Sequence, residues 1–134
     1  MTMKPLAIWV SVLALVMDGA TGALLILAPG VALQLMGLDP AQAPPAYLRF
    51  IAAFVFAVGI LYGVAWRAFI AERYVEWSVV WIATAWIRLC VGCTVFGLVL
   101  SGSLAVGWSS VPAADLGLGT FQFWYLLRAK YVNG

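Results

Sequence analysis

The chain has 134 residues, of which 66% are hydrophobic and only 9% are charged. Soluble domains contain about 25% charged residues, so this composition would leave far too much apolar surface in water. The formal net charge of +2 comes from scattered basic residues, which excludes the basic patch of a nucleic-acid-binding protein. We therefore expect one integral membrane domain that covers residues 1–134.

The first predicted membrane span covers residues 5–28. Its start resembles a signal peptide, because Lys4 precedes an apolar run that ends in small residues. Asp18 interrupts that run, and the apolar pattern then continues to Ala28, which favours a spanning helix. Pro29-Gly30 is expected to end this helix.

Three further segments, residues 47–66, 77–100 and 104–127, reach the roughly 20 apolar residues that a spanning helix needs. Ser101-Gly102-Ser103 predicts a tight turn between the third and fourth spans. The longer connection after the first span contains residues 31–36, which are apolar enough for a short amphipathic turn at the membrane surface. That turn would be a simple connector or a lid over a cavity. The predicted fold class is therefore all-α, an integral membrane four-helix bundle.

The basic residues near the span ends predict the orientation, since short cytoplasmic loops carry an excess of Lys and Arg. The end of the bundle that lacks the chain termini carries only Asp39 and Arg49. Both termini are therefore predicted to be cytoplasmic. Five basic residues are predicted to lie at the cytoplasmic end: Lys4, Arg67, Arg73, Arg128 and Lys130.

Three charged residues are predicted to lie at one depth inside the membrane. At a rise of 1.5 Å per residue, Asp18, Arg88 and Asp115 each fall near the middle of their span. An isolated charge at that depth costs about 3 to 10 kcal/mol, so the three should face one another or a water-filled cavity. Two carboxylates and one guanidinium leave one surplus negative charge. One of the two carboxyl groups is therefore expected to hold a proton, unless Arg49 balances the charge.

The helix faces that carry these charges also carry aromatic and polar side chains at three-to-four spacing, together with small residues that allow close helix packing. We predict that these side chains surround a site whose catalytic residues are Asp18, Arg88 and Asp115. The predicted ligand-binding residues are Trp81, Trp86, Trp108, Phe56, Tyr62, Gln122 and Arg49.

Three interpretations of the charged residues remain open: a buried ion-pair network that fixes helix packing, a pocket for a small lipophilic molecule, and a path for protons or ions. In the pocket interpretation one aspartate donates a proton, the other accepts one, and Arg88 holds the two states apart. Aromatic rings would stabilise a developing cation. This chemistry suits ring opening, isomerisation or hydration of an epoxide- or polyene-type substrate. An enzyme of this kind would be a cofactor-independent isomerase, cyclase or hydrolase.

Cys90 and Cys93 form a C-x-x-C pattern within the third span. The sequence has no other cysteine and no histidine, so a metal site would lack further ligands and a histidine-bound haem is not expected. We predict that the two cysteines are small packing residues.

The second span from Arg49 to Tyr62 (RFIAAFVFAVGILY), with Arg88 in the third span and Asp115-Leu116 in the fourth, resembles small bacterial membrane proteins of the DoxX-like kind. This resemblance implies a multi-pass, four-helix fold in a bacterial inner membrane. Members of this group include accessory subunits of redox systems. The alternative function is therefore that of a non-catalytic subunit in a larger membrane complex. The quinone-linked thiol chemistry of some four-helix proteins is not implied, because a second cysteine pair is missing.

The predicted partners are membrane lipid, a lipophilic small molecule, and either further copies of the chain or other subunits. Two structural outcomes separate the pocket from the accessory subunit. A pocket should bring the charges around a cavity of a few hundred Å³. An accessory subunit should hold them in direct salt bridges.

Overall fold

The computed structural model describes residues 4–129, except for the side chain of Gln42, and this part of the chain is all-helical without strands. Turns of 3-10 helix precede the third and fifth α-helices. Lys130, which contributed to the predicted orientation, lies outside the described residues. The elements are α1 (Lys4–Leu27), α2 (Pro29–Leu35), a 3-10 turn (Pro40–Gln42), α3 (Pro45–Ile70), α4 (Tyr74–Leu100), a 3-10 turn (Val106–Ser109) and α5 (Ser110–Arg128).

Within the described residues, three helices are long and apolar enough to cross a membrane. These are α1, α3 and α4, whose most apolar windows have mean hydropathies of 2.1, 2.1 and 1.8. They confirm the first three predicted spans as helices of spanning length. Many of their large apolar side chains are exposed, which suits a protein surrounded by lipid rather than water.

The fourth predicted span differs from the structure at its start. It was expected to begin at Leu104, but α5 begins at Ser110, after a 3-10 turn, and has only 19 residues. Pro112 explains the shift, because proline lacks a backbone N–H and is tolerated only in the first turn of a helix. The polar residues of α5 also lower its mean hydropathy, so α5 is not among the three helices that are apolar enough to cross a membrane.

The connections follow the predicted pattern. Gly102 has a φ of +74°, which glycine adopts without strain, and it lies in the predicted turn between α4 and the second 3-10 turn. Residues 31–36 fall largely within α2, which buries Ala32 and Leu33 and exposes Val31 and Leu35. The predicted short amphipathic turn is therefore present as a helix of two turns.

The helices pack in the order α1, α3, α4, α5, so that α1 lies along α3, α3 against α4, and α4 along α5. Glycines bring α1 and α3 into backbone contact. A Cβ atom on Gly22 would lie 2.7 Å from the backbone nitrogen of Phe56, and one on Gly59 would lie 2.8 Å from that of Gly19. The predicted small-residue faces therefore form the α1–α3 contact.

An aromatic core fills the end of the molecule at which α1 begins and α5 ends. Trp77 and Trp81 of α4 lie with ring centroids 4.6 Å apart, and Tyr125 of α5 packs edge-on against both. Phe69 of α3 and Ala7 of α1 complete this core. The charged residues of the candidate site lie beyond it, towards the middle of the helices.

Candidate functional site

Asp18, Arg88 and Asp115 form one ion triad. Arg88 donates from Nη1 to Asp115 Oδ1 and from Nη2 to Asp18 Oδ2, each at 2.5 Å. The predicted convergence of the three charges is therefore confirmed. Arg88 is 4% exposed, whereas the side chains of Asp18 and Asp115 are 14% and 16% exposed. The guanidinium lies inside the protein, and the carboxylates lie between it and the surface.

Two buried polar side chains hold Arg88 from behind. Its Nε donates to the Tyr62 hydroxyl at 2.7 Å, and that hydroxyl donates to Gln122 Oε1 at 2.8 Å. Gln122 Nε2 in turn donates to Thr84 Oγ1 at 3.0 Å. Tyr62 and Gln122 are fully buried and position the guanidinium. That they contact a ligand stays a prediction.

Trp81 likewise makes a buried hydrogen bond between two helices. Its Nε1 donates to Ser11 Oγ at 3.0 Å, and both residues are fully buried. This bond connects α4 to α1 about two helical turns from the ion triad, on the side of the aromatic core. Neither Ser11 nor Thr84 was singled out from the sequence. A hydroxyl one or two turns from a buried charge is the signal that could have identified them.

The remaining predicted ligand-binding residues do not converge on the triad. Trp86 is 57% exposed and packs edge-on against Phe123 on the outside of the molecule. It lies two residues, or about 200° of helix rotation, from Arg88 and therefore points away from it. Phe56 is exposed because about 240° of helix rotation separates it from Tyr62, the residue of α3 that contacts Arg88.

Trp108 and Arg49 lie far from the triad, at the end of the molecule where α3 and α5 begin. Trp108 packs against the cluster of Leu33, Leu38 and Leu48. Arg49 donates from Nε to the backbone oxygen of Ile26 at 3.1 Å, so it supports the end of α1. Arg49 forms no ion pair with either triad aspartate, and the expectation that it balances their charge is wrong.

The two aspartates share a surface that we call the carboxylate face, defined by the exposed parts of Asp18 and Asp115. α1 and α5, which carry them, do not pack along each other. Each aspartate uses one oxygen for Arg88, and no described residue donates a hydrogen bond to Asp18 Oδ1 or Asp115 Oδ2. The site can therefore accept hydrogen bonds at two carboxylate oxygens, and it can take up or release a proton there.

Two cavities of the described residues lie away from the ion triad. One of about 340 Å³ lies beside Trp108, and one of about 260 Å³ lies on the outside of α4 at Cys90 and Thr94. The charges are closed in direct salt bridges, which is the outcome expected of an accessory subunit.

Cys90 and Cys93 are exposed free thiols on the outside of α4. The prediction that they are packing residues is therefore wrong for contacts within this chain. The described residues contain no cluster of three or more histidine, cysteine, aspartate or glutamate side chains that could hold a metal ion.

Replacing Tyr62 with phenylalanine tests the support of Arg88. The variant removes the acceptor of the Arg88 Nε–H and the donor to Gln122 but keeps the ring. We expect the free energy of unfolding to fall by about 1–3 kcal/mol, because buried polar groups lose their partners. Denaturant unfolding in mixed micelles would measure this loss.

Tyr47→Phe is the matched control on the exposed part of α3 and should change the free energy of unfolding by less than about 0.5 kcal/mol. Equal effects of the two variants would contradict the positioning role.

Comparisons of the chain with protein-family models, with curated proteins and with solved structures found no match. The resemblance to DoxX-like proteins therefore stays a prediction.

Proposed function

We propose that this protein is a four-helix protein of a bacterial inner membrane, distantly related to DoxX-like proteins, that binds a small lipophilic molecule at its carboxylate face. In this arrangement α1, α3, α4 and α5 each cross the membrane, and both chain termini are cytoplasmic. An extension of the proposal is that the two aspartates convert the bound molecule by proton transfer.

The fourth crossing is supported by the position of α5. Asp115 contacts Arg88, which lies in the middle of α4, and α5 lies along that helix. Its 19 residues extend about 28 Å, close to the roughly 30 Å of a bilayer core. The cytoplasmic orientation is supported by Lys4, Arg67, Arg73 and Arg128, which flank the same ends of the four helices.

The observation that carries the binding proposal is the pair of carboxylate oxygens without a partner among the described residues. Their side chains are partly exposed near the middle of the proposed membrane span, where an unsatisfied polar group costs several kcal/mol. The triad also keeps one surplus negative charge if both carboxyl groups are ionised. A bound molecule with a hydrogen-bond donor or a basic group would satisfy both features. It would reach the site from the lipid, because α1 and α5 do not close over it.

The same geometry permits acid–base chemistry. If one aspartate is protonated, its carboxyl group can donate that proton to a ligand, while the other, ionised aspartate can accept a proton. Arg88 holds both side chains in place. Protonation of an epoxide oxygen or a polyene carbon, followed by return of a proton from a neighbouring carbon, conserves atoms and needs no cofactor. This is the isomerase or cyclase chemistry predicted from the sequence, and the hydrolase variant requires in addition that a water molecule, deprotonated by the carboxylate, attacks the protonated substrate.

A second candidate function is that of a non-catalytic subunit in a larger membrane complex, either a redox complex or an assembly of this chain. The direct salt bridges favour it, as does Trp86, which is exposed and packs against the partly buried Phe123. In that case a helix of the partner would cover the carboxylate face and donate to its two free oxygens.

Replacing Asp115 with asparagine tests the binding proposal. Asparagine can still accept a hydrogen bond from Arg88, so we expect the variant to accumulate in the membrane and to lose less than about 1.5 kcal/mol of stability. The charge and the proton site are lost, so the amount of small lipophile extracted from the purified protein should fall at least about 10-fold, equivalent to about 1.4 kcal/mol of binding. Organic extraction followed by mass spectrometry measures this amount.

Asp39→Asn is the matched control, because Asp39 lies outside the triad and accepts only a local bond from Ala41. It should leave the bound lipophile unchanged. If Asp115→Asn instead fails to accumulate while Asp39→Asn accumulates normally, the triad is a structural ion pair and the binding proposal fails.

A further inference from the structure

A cavity of about 340 Å³ lies at the end of the molecule opposite the start of α1 and the end of α5. It lies between α2, the segment before α3, and the turn that leads from α4 into α5, and it is open on one side. None of its lining residues is charged. They are Leu33, Ala43, Ser103, Leu104, Ala105 and Trp108.

Packing fixes the walls of this cavity. Leu33 is buried together with Leu38 and Leu48, and Trp108 packs against the same three residues. Gly107 lies so close to the segment after α2 that an added Cβ would be 2.8 Å from Leu38 Cδ2 and 2.9 Å from the backbone oxygen of Met36. On the other wall, the backbone nitrogen of Leu104 bonds to Leu98 at the end of α4. The cavity is therefore a built feature rather than a gap between loose loops.

The composition of the walls restricts what can bind. Aliphatic side chains and one indole ring make up most of the lining, and the Ser103 hydroxyl is paired with Ser101 at 2.9 Å. A charged ligand would lose its hydration without gaining an opposite charge. An apolar cavity of about 150 Å³ holds one benzene molecule, and this one is roughly twice as large.

We infer that this cavity binds an uncharged, mostly apolar molecule of about two fused rings. The site is separate from the carboxylate face, since Trp108 precedes Asp115 by seven residues, or about 10 Å of helix. The inference goes beyond the proposed function and does not depend on it. The binding energy comes from removal of apolar surface from water at the membrane interface.

Photolabelling of the full chain tests this site. The protein is reconstituted in phosphatidylcholine vesicles and labelled with 3-(trifluoromethyl)-3-phenyldiazirine, a small uncharged probe, and the adducts are mapped by mass spectrometry. We expect adducts concentrated on residues 101–108, and at least a 5-fold reduction when excess naphthalene competes.

Ala105→Phe should fill the cavity and reduce the labelling of residues 101–108 at least 5-fold. Ala105 has φ −64° and ψ 151°, which any L-residue adopts, so the substitution introduces no backbone strain. Ala83→Phe, on the exposed side of α4, is the matched control and should leave the labelling unchanged. Ala43→Leu narrows the cavity from the opposite wall and should act like Ala105→Phe.

The inference is overturned if naphthalene does not compete, or if both cavity variants are labelled like the native chain. Labelling spread evenly over lipid-exposed residues would also overturn it, since that pattern reports dissolution in the bilayer. Asp115→Asn should leave this labelling intact, which separates a failure of this site from a failure of the carboxylate face.

Discussion

Replacing Arg88 with leucine is expected to lower the free energy of unfolding by about 3–5 kcal/mol, the largest effect of any single substitution in this chain. Arg88 donates to Asp18, Asp115 and Tyr62 and is almost fully buried. Its removal leaves two carboxyl groups facing each other without a cation. Denaturant unfolding in mixed micelles and the amount of protein in the membrane would both report the loss.

Neutralising the carboxylates should reverse much of this effect. We expect the triple variant Arg88→Leu/Asp18→Asn/Asp115→Asn to be more stable than Arg88→Leu, because the uncompensated charges are gone. Arg49→Leu is the matched control, since Arg49 is exposed and makes one hydrogen bond to the backbone. It should cost less than about 1 kcal/mol. A similar small cost for Arg88→Leu would show that the triad does not hold the helices together.

Gly22→Ala and Gly59→Ala are expected to destabilise the α1–α3 contact by about 1–3 kcal/mol each, and the double variant by more than either. At both positions the new methyl group would meet backbone atoms of the opposite helix at less than 3 Å. Backbone cannot rotate away as a side chain can, so α1 and α3 must separate. Because α1 carries Asp18, the separation should also weaken its bond to Arg88.

Gly19→Ala provides the contrast on the same helix. An added Cβ at Gly19 meets no atom within 4 Å, and alanine has the higher helix propensity by up to about 1 kcal/mol. This variant should therefore be neutral or stabilising in the same unfolding measurement. Equal losses for Gly19→Ala and Gly22→Ala would mean that backbone contact between the helices is not the cause.

The depth of the charged residues could be predicted from the sequence, because helix rise converts residue number into distance along the membrane normal. The high cost of a charge in lipid then required Asp18, Arg88 and Asp115 to meet. Rotation about each helix axis was harder to predict. In a soluble helix the polar face marks the outside, but α1, α3 and α4 are apolar on all sides.

Trp86 and the two cysteines show the consequence of this ambiguity. Nothing in the apolar pattern of α4 distinguishes the side that faces Arg88 from the side that faces lipid, apart from the polar residues themselves. Counting helix rotation from Arg88 would have placed Trp86 outside, since about 200° separates them. The start of α5 was also predictable in principle, because Pro112 confines the helix start to the preceding turn.

The closed state of the triad could not be predicted from residue types. Whether Asp18 and Asp115 surround a cavity or contact Arg88 directly depends on how closely α1 and α5 approach α4. Gly92 of α4 allows the approach of α5, since an added Cβ would lie 2.8 Å from Leu116 Cγ and 3.3 Å from Asp115 Cβ. The sequence indicated small residues on these helices, but not which pairs of residues would meet.

Native mass spectrometry of the protein, extracted gently from its own membrane, is the decisive test of binding at the carboxylate face. We expect one small lipophilic molecule per chain, absent from Asp115→Asn and retained by Asp39→Asn. Protein subunits that accompany the chain, without a small molecule, would refute the binding proposal and identify the chain as a component of a larger membrane complex.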